Sequence, residues 1–179
     1  MAHTLGVDLD GVLADLVGFF ILSEAIETKQ IHNRRQFASY YFSDNLDPDI
    51  AEKWKMWLLD EVKMLQLLPY SENVYALKFM ESIGWKIHII TSRQAHLETA
   101  TKEWLLNKGV PFHKLFLVSD KKKYADECDY FVDDKIDNVT MSTSAKTFLM
   151  KRSWNRSYRC PAVHPINTLW ELLDQKKVK

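Results

Sequence analysis

Cysteine is scarce in this 179-residue chain. There are two, Cys128 and Cys160, and no CxxC pair. That excludes a disulfide framework and a cysteine-rich metal module, and suggests free thiols in a reducing cytosol. Glycine is nearly as scarce, with five residues, so each has a positional task. Charge of either sign is not in excess: 24 basic residues stand against 24 acidic ones. A dedicated nucleic-acid binder usually carries a basic surplus, so the balance speaks against that class. No apolar run approaches the ~20 residues of a membrane span. The start, "MAHTLGVD", has neither the basic region nor the apolar stretch of a secretory signal. These absences lead to the expectation of a cytoplasmic, soluble protein. Repeats, low-complexity tracts and flexible linkers are also missing.

What is present is an apolar fraction of 46%, enough for a substantial core, and 12% aromatic residues, six of them Trp. The length suits one domain with room for an insertion. "HTLGVDLD" reads as a short buried strand. After residue 70, strand-like runs alternate with helical ones: helix "NVYALKFMESIG", strand "WKIHIITSR", helix "AHLETATKEWLLNKG", then strands "KLFLVSD", Tyr130 to Val132 and "KTFLMKR", and a closing helix "NTLWELLDQKK". Alternation of this kind predicts an α/β fold, a Rossmann-like doubly wound parallel sheet. The stretch between strand one and strand two is different. A helix is expected from Leu16 to about Thr28 and another over "IAEKWKMWLLDEV", with aromatic, irregular sequence between them. It is too long for a simple crossover and reads as an inserted helical cap. The expected organisation is a core of residues 1–15 and 69–179 with a cap of residues 16–68.

In an open parallel sheet, ligands bind beyond the carboxyl ends of the strands. Here those ends carry Asp8 and Asp10, Thr91 and Ser92, and Asp133 and Asp134. Gathered carboxylates repel each other and need a cation or a retained proton. Carboxylate oxygens are hard ligands, so Mg²⁺ suits them better than Zn²⁺. A carboxylate in such a place can attack phosphorus, and a second one two residues on can move the proton of the leaving oxygen. Thr91 and a nearby lysine would hold phosphoryl oxygens.

The segments "DLDGVLAD", "IHIITSR" and "DKKKYADECDYFVDD" resemble, in order, the four motifs of the haloacid dehalogenase superfamily. "DGVLAD", the "TS" of the second motif, "FLMKRSWNR" and "TLWELL" are similar to the 5'(3')-deoxyribonucleotidases and their bacterial and phage relatives. The resemblance implies Asp8 as nucleophile and Asp10 as general acid and base. It implies Mg²⁺ held by Asp8, the Asp10 carbonyl and Asp133, with Asp134 beside the metal or its water. Thr91 and Ser92 would bind phosphate. Among Lys121, Lys122 and Lys123, the spacing favours Lys123, ten residues before Asp133. Arg93 stands where mammalian members have Pro, and is a candidate substrate contact. The implied reaction is hydrolysis of a phosphomonoester, a nucleoside monophosphate in the leading case. The rivals are a polynucleotide 3'-phosphatase, another small-metabolite phosphatase, and a non-catalytic phosphate-binding module. Family members are often dimers, so a homodimer is open.

The remaining candidates have plainer readings. Asp15 can serve as an ordinary first-turn helix acid. His88 alternates within an apolar strand and reads as a packed histidine. Cys128 has no recognisable activating base. Phe19, Phe20, Tyr40, Tyr41, Phe42, Trp54 and Trp57 are expected to form mostly cap core, although an aromatic cap also suits a flat nucleobase. Leu16 occupies a place where the nucleotidases carry an aromatic pocket residue.

Overall fold

The computed structural model describes residues 2–41, 46–143 and 145–174. Six strands form one all-parallel sheet: β1 (Thr4–Val7), β2 (Lys86–Thr91), β3 (Lys114–Leu117), β4 (Tyr130–Asp133), β5 (Lys146–Met150) and β6 (His164–Ile166). Their order is β3-β2-β1-β4-β5-β6. β1 lies between β2 and β4, with Val7 opposite Ile89 on one side and Val132 on the other. The chain steps across the sheet between β3 and β4, so the order reverses at β1, where a crevice forms at the strand tips.

β1 is buried on both faces, which is why it lacks a polar alternation. Leu5 and Val7 enter the main core, while Gly6 faces the second layer, formed by Ile90, Ala125, Cys128 and Phe131. A Cβ at Gly6 would sit 2.9 Å from Ile90 and 3.0 Å from the Cys128 sulfur, so a larger residue would force these side chains to shift. His88 is buried as expected, with its ring edge-on to Phe116. Burial pushes the Cys128 thiol up to about 11, which makes it a poor nucleophile.

Helices α4 (Ser71–Ser82), α5 (Glu98–Asn107), α6 (Lys122–Asp126), α7 (Ile136–Met141) and α8 (Glu171–Asp174) accompany the sheet. Sequence reading missed α6 and α7, which are only 5 and 6 residues long. It also missed β6, whose Pro165 suits only an edge strand. Among the described residues, no helix is long and apolar enough to cross a membrane.

The segment between β1 and α4 holds α1 (Leu16–Thr28), α2 (Pro48–Trp57) and α3 (Glu61–Gln66), with a 3₁₀ turn at Arg34–Gln36. The single helix expected over residues 50–62 is two, because Asp60 accepts hydrogen bonds from the Val62 and Lys63 amides and starts a new helix. α1 buries Val17, Phe20, Ser23 and Glu24, whereas Ile26 is exposed. Phe20 packs edge-on against Trp54 at 4.8 Å, and Trp54 stacks on Trp57. These three are therefore interior residues. Tyr40 and Tyr41 are exposed, and Phe42 lies outside the described residues.

The chain enters and leaves this segment along two paired stretches. Ala14 bridges antiparallel to Pro69, the Asp15 amide donates to the Leu68 carbonyl at 2.8 Å, and the Tyr70 amide donates to Leu13 at 2.7 Å. Asp15 fastens this junction. Its carboxylate caps α1 through the Gly18 amide and accepts from the Tyr70 hydroxyl and the Arg34 guanidinium. Burial pushes the Asp15 carboxyl up, but Arg34, Tyr70 and Gly18 outweigh it and hold the carboxyl below its usual range. The unfolded chain then binds this proton more readily than the folded one. Asp15 thus stabilises the fold above the unfolded carboxylate pKa, and that share is lost as pH falls through the lower folded value. Asp15→Ala should lower stability by about 1–2 kcal/mol at neutral pH. The deficit should shrink as urea titrations are taken to pH values below the usual carboxylate range, where the lowered Asp15 carboxyl takes up its proton. A deficit unchanged by acid would contradict this account.

Candidate active site

Asp8 directly follows β1, and its amide donates to the Val132 carbonyl of β4 at 2.9 Å. That single bond places it beside Asp133, the last residue of β4, and Asp134. Carboxylate oxygens of Asp8, Asp133 and Asp134 lie within 4.8 Å of one another, and all three residues are buried. Lys121, 1% exposed, sits among them, donating to Asp8 Oδ1 at 2.7 Å and Asp133 Oδ2 at 2.8 Å.

The structure places the three candidate lysines differently, and Lys121, not the favoured Lys123, is the one beside the acids. Lys123 is exposed, with its ammonium 5.9 Å from the centre of the Tyr124 ring. Lys121 precedes α6 and enters the acid cluster, while Lys122 pairs with Asp126 on the surface. Counting residues across a turn that becomes a helix cannot reveal which of three adjacent lysines points inward.

Each acid has its own supports. Asp133 Oδ1 accepts from the Lys135 amide and Oδ2 from Asn138 as well as Lys121. Trp154 Nε1 donates to Asp134 Oδ2 at 2.8 Å, and Asn155 donates to the Asp134 carbonyl at 2.8 Å. The "WN" pair therefore holds Asp134 at both ends. Sequence reading quoted that pair without assigning it a task, and Asn138 carried no signal at all. Gly11 has φ +83°, and a side chain there would collide with the Asp134 carboxylate. Asp8 Oδ1 accepts from the Leu9 amide and Lys121, while Oδ2 accepts no hydrogen bond from the described residues.

Burial, then the Asp133 charge, pushes the Asp8 carboxyl up to about 7 against the pull of Lys121. Asp134 is raised by the same causes, burial first and Asp133 second. One lysine does not neutralise three carboxylates. The donor set is all oxygen, buried and short of positive charge, which fits a hard divalent cation such as Mg²⁺.

A cavity of about 390 Å³ opens at the Asp8 side of this cluster. Asp8, Asp10, Thr91, Ser92 and Arg93 line its floor, and Leu16, Tyr40, Lys55, Leu58, Leu59 and Met64 reach it from the helical segment. Thr91 ends β2, buried, and its hydroxyl accepts from the Arg93 amide at 3.3 Å. Asp10 stands apart from the acid trio, gripped by the Arg93 guanidinium on both oxygens.

Residues 2–175 match the model of the family described as 5' nucleotidase, deoxy (pyrimidine), cytosolic type C protein. A Bacillus cereus protein provisionally named a nucleotidase is 23% identical, over 96% of this chain and 98% of its own length. A haloacid dehalogenase-like hydrolase from Streptococcus pneumoniae has a similar fold, with TM-score 0.64, 12% identity and coverage of 98% of this chain and 99% of that one. A haloacid dehalogenase-type protein from Bacillus subtilis, provisionally named a hydrolase and solved with magnesium, has TM-score 0.57, 15% identity and coverage of 99% and 100%. With strand tips that gather three acids, a lysine and a threonine at one crevice, a fold like that of haloacid dehalogenase-type structures, and a family match across nearly its whole length, the chain belongs to the cytosolic type C 5'-nucleotidase family of hydrolases.

Proposed function

We propose that this chain is a Mg²⁺-dependent phosphatase of nucleoside monophosphates that works through an aspartyl-phosphate. The observation that carries the reading is Asp8, a buried carboxylate with one oxygen that accepts no hydrogen bond from the described residues, facing a cavity floored by Thr91 and Ser92. Asp8, Asp133 and Asp134 would hold the metal, together with the Asp10 carbonyl. The bound ion would supply positive charge that draws the phosphoryl oxygens in and offsets the acids' repulsion. The magnesium in the Bacillus subtilis protein supports that choice.

In the first half-reaction, an Asp8 oxygen bonds to phosphorus and the bond from phosphorus to the ester oxygen breaks. Asp10, which enters this step protonated with one of its two Arg93 bonds released, gives that proton to the ester oxygen, and the nucleoside leaves. In the second, water attacks phosphorus, Asp10 takes its proton, and the bond from Asp8 to phosphorus breaks to release phosphate. Thr91, Ser92 and Lys121 would hold the phosphoryl oxygens through both steps.

Residues 16–68 would act as the cap. Their contribution to the cavity is a largely apolar wall with Tyr40 and Lys55, which suits a flat base on a sugar. A cavity of about 390 Å³ takes a mononucleotide more readily than a polymer end. The free thiols of Cys128 and Cys160 suit a reducing cytoplasm. Phosphate release should be measured over nucleoside 5'- and 3'-monophosphates, sugar phosphates and a 3'-phosphorylated oligonucleotide, with Mg²⁺ or EDTA. Mg²⁺-dependent release, fastest from a mononucleotide, is the expected result. Release that EDTA leaves intact would exclude the metal, and a preference for the oligonucleotide or sugar phosphates would exclude the substrate class.

A further inference from the structure

Arg93 occupies a position from which a guanidinium could reach phosphate, yet its geometry gives it another task. Its side chain is 3% exposed. Nε donates to Asp10 Oδ2 at 2.8 Å and Nη2 to Asp10 Oδ1 at 2.7 Å. Nη1 donates to the Thr101 hydroxyl at 3.2 Å, and Thr101, on α5, is wholly buried. All three guanidinium nitrogens are therefore engaged within the protein. A planar fork on a planar carboxylate fixes both the distance and the plane of Asp10, which a lysine could not do. Thr101 in turn fixes the plane of the fork. No other described side chain donates to the Asp10 carboxylate. The backbone adds a second link, since the Arg93 amide donates to Thr91 Oγ1. One residue thus joins the acid after β1 to the hydroxyl at the end of β2.

We infer that Arg93, braced by Thr101, is the positioning residue that aims Asp10 at the leaving oxygen, and is not a substrate contact. The inference rests on the reading of Asp10 as the group that moves the proton. Asp10 can release one of the two bonds to work on the ester oxygen while the other holds its plane. A carboxylate on an unbraced loop would sample other rotamers, and misplacement of about 1 Å can cost 10²-fold in rate.

The test compares two esters in stopped-flow and steady-state assays with Mg²⁺ present. p-Nitrophenolate leaves without needing a proton, whereas the nucleoside of thymidine 5'-monophosphate needs one. Asp10→Asn should lower kcat on the nucleotide by about 10²–10⁴-fold and keep the initial nitrophenolate burst. Arg93→Met should copy that pattern at about 10²-fold, with KM little changed. The double variant should be no slower than Asp10→Asn alone. Arg93→Lys, charged but without the fork, should fall between Arg93→Met and wild type. Should Arg93→Met not fold, Thr101→Val loosens the same brace and should show a smaller loss with the same ester dependence. A rise in KM on both esters with kcat retained, or losses that multiply in the double variant, would overturn the inference and make Arg93 a substrate contact. Full nucleotide turnover by Asp10→Asn would instead remove the reading of Asp10 on which the inference stands.

Discussion

Asp8→Asn should stop phosphate release from every substrate the wild type accepts, with kcat falling on the order of 10⁴–10⁶-fold, the scale seen when a covalent hydrolase loses its nucleophile. The amide keeps the shape of the side chain but offers phosphorus no anionic oxygen. Substrate should still bind, because Thr91, Ser92 and the cavity wall are untouched. The same variant has a second signature. In the metal-free protein, burial and Asp133 raise the Asp8 carboxyl from 3.8 to about 7. Between those values the folded state holds a proton that the unfolded chain has lost. Folding stability must then decline as pH climbs through that window, since the native state binds more protons than the unfolded one. An asparagine does not titrate, so Asp8→Asn should flatten that decline in urea melts run in EDTA. Asp134, also raised, leaves a remaining slope. Phosphate release by Asp8→Asn at a tenth of the wild-type rate or more would mean that another group attacks phosphorus.

The sheet and the position of the site could be read from the chain because β-strands and their tips are local features. "GVDLD", "IIT" and "YFVDD" each pass from apolar to polar at the point where the strand leaves the core. Parallel pairing then brings the tips together, as the bond from the Asp8 amide to Val132 shows. What could not be read depends on direction or on distant partners. Lys121 and Lys123 are alike as letters, and only the turn into α6 separates an interior cation from a surface one. Arg93 looked like an anion contact, and only the fold reveals that Asp10 and Thr101 engage all three of its guanidinium nitrogens. The bond from Asn138 to Asp133 is side chain to side chain, which no pattern of hydrophobicity records. The split between α2 and α3 turns on a single capping residue, Asp60, inside an otherwise helical run.

Lys121→Met and Lys123→Met, made side by side, should give opposite results. Lys121 is buried between two carboxylates. Burial opposes its charge, but Asp133 and then Asp8 overcome that and raise its pKa, so the ammonium stays charged throughout the physiological range. Methionine fills nearly the same volume without the charge, and Asp8, Asp133 and Asp134 lose their nearest cation. Removing one partner of a buried ion pair costs about 3–5 kcal/mol, because the remaining charges stay desolvated. The loss should be greatest in EDTA. A divalent ion that binds only the folded state stabilises it by mass action, and the extra uncompensated charge strengthens that binding. Mg²⁺ should therefore raise the melting temperature of Lys121→Met more than that of wild type. Activity should not return with it, since the cation proposed to hold the phosphoryl group is gone. Lys123 has its ammonium in solvent over Tyr124, so Lys123→Met should stay within about 0.5 kcal/mol of wild type and keep its kcat. Differential scanning fluorimetry with and without Mg²⁺, alongside phosphate release, reads both variants. If Lys123→Met were the inactive one, the acid cluster described here would not be the catalytic centre. A Lys121→Met protein as stable in EDTA as wild type would mean that the three acids do not share a buried charge.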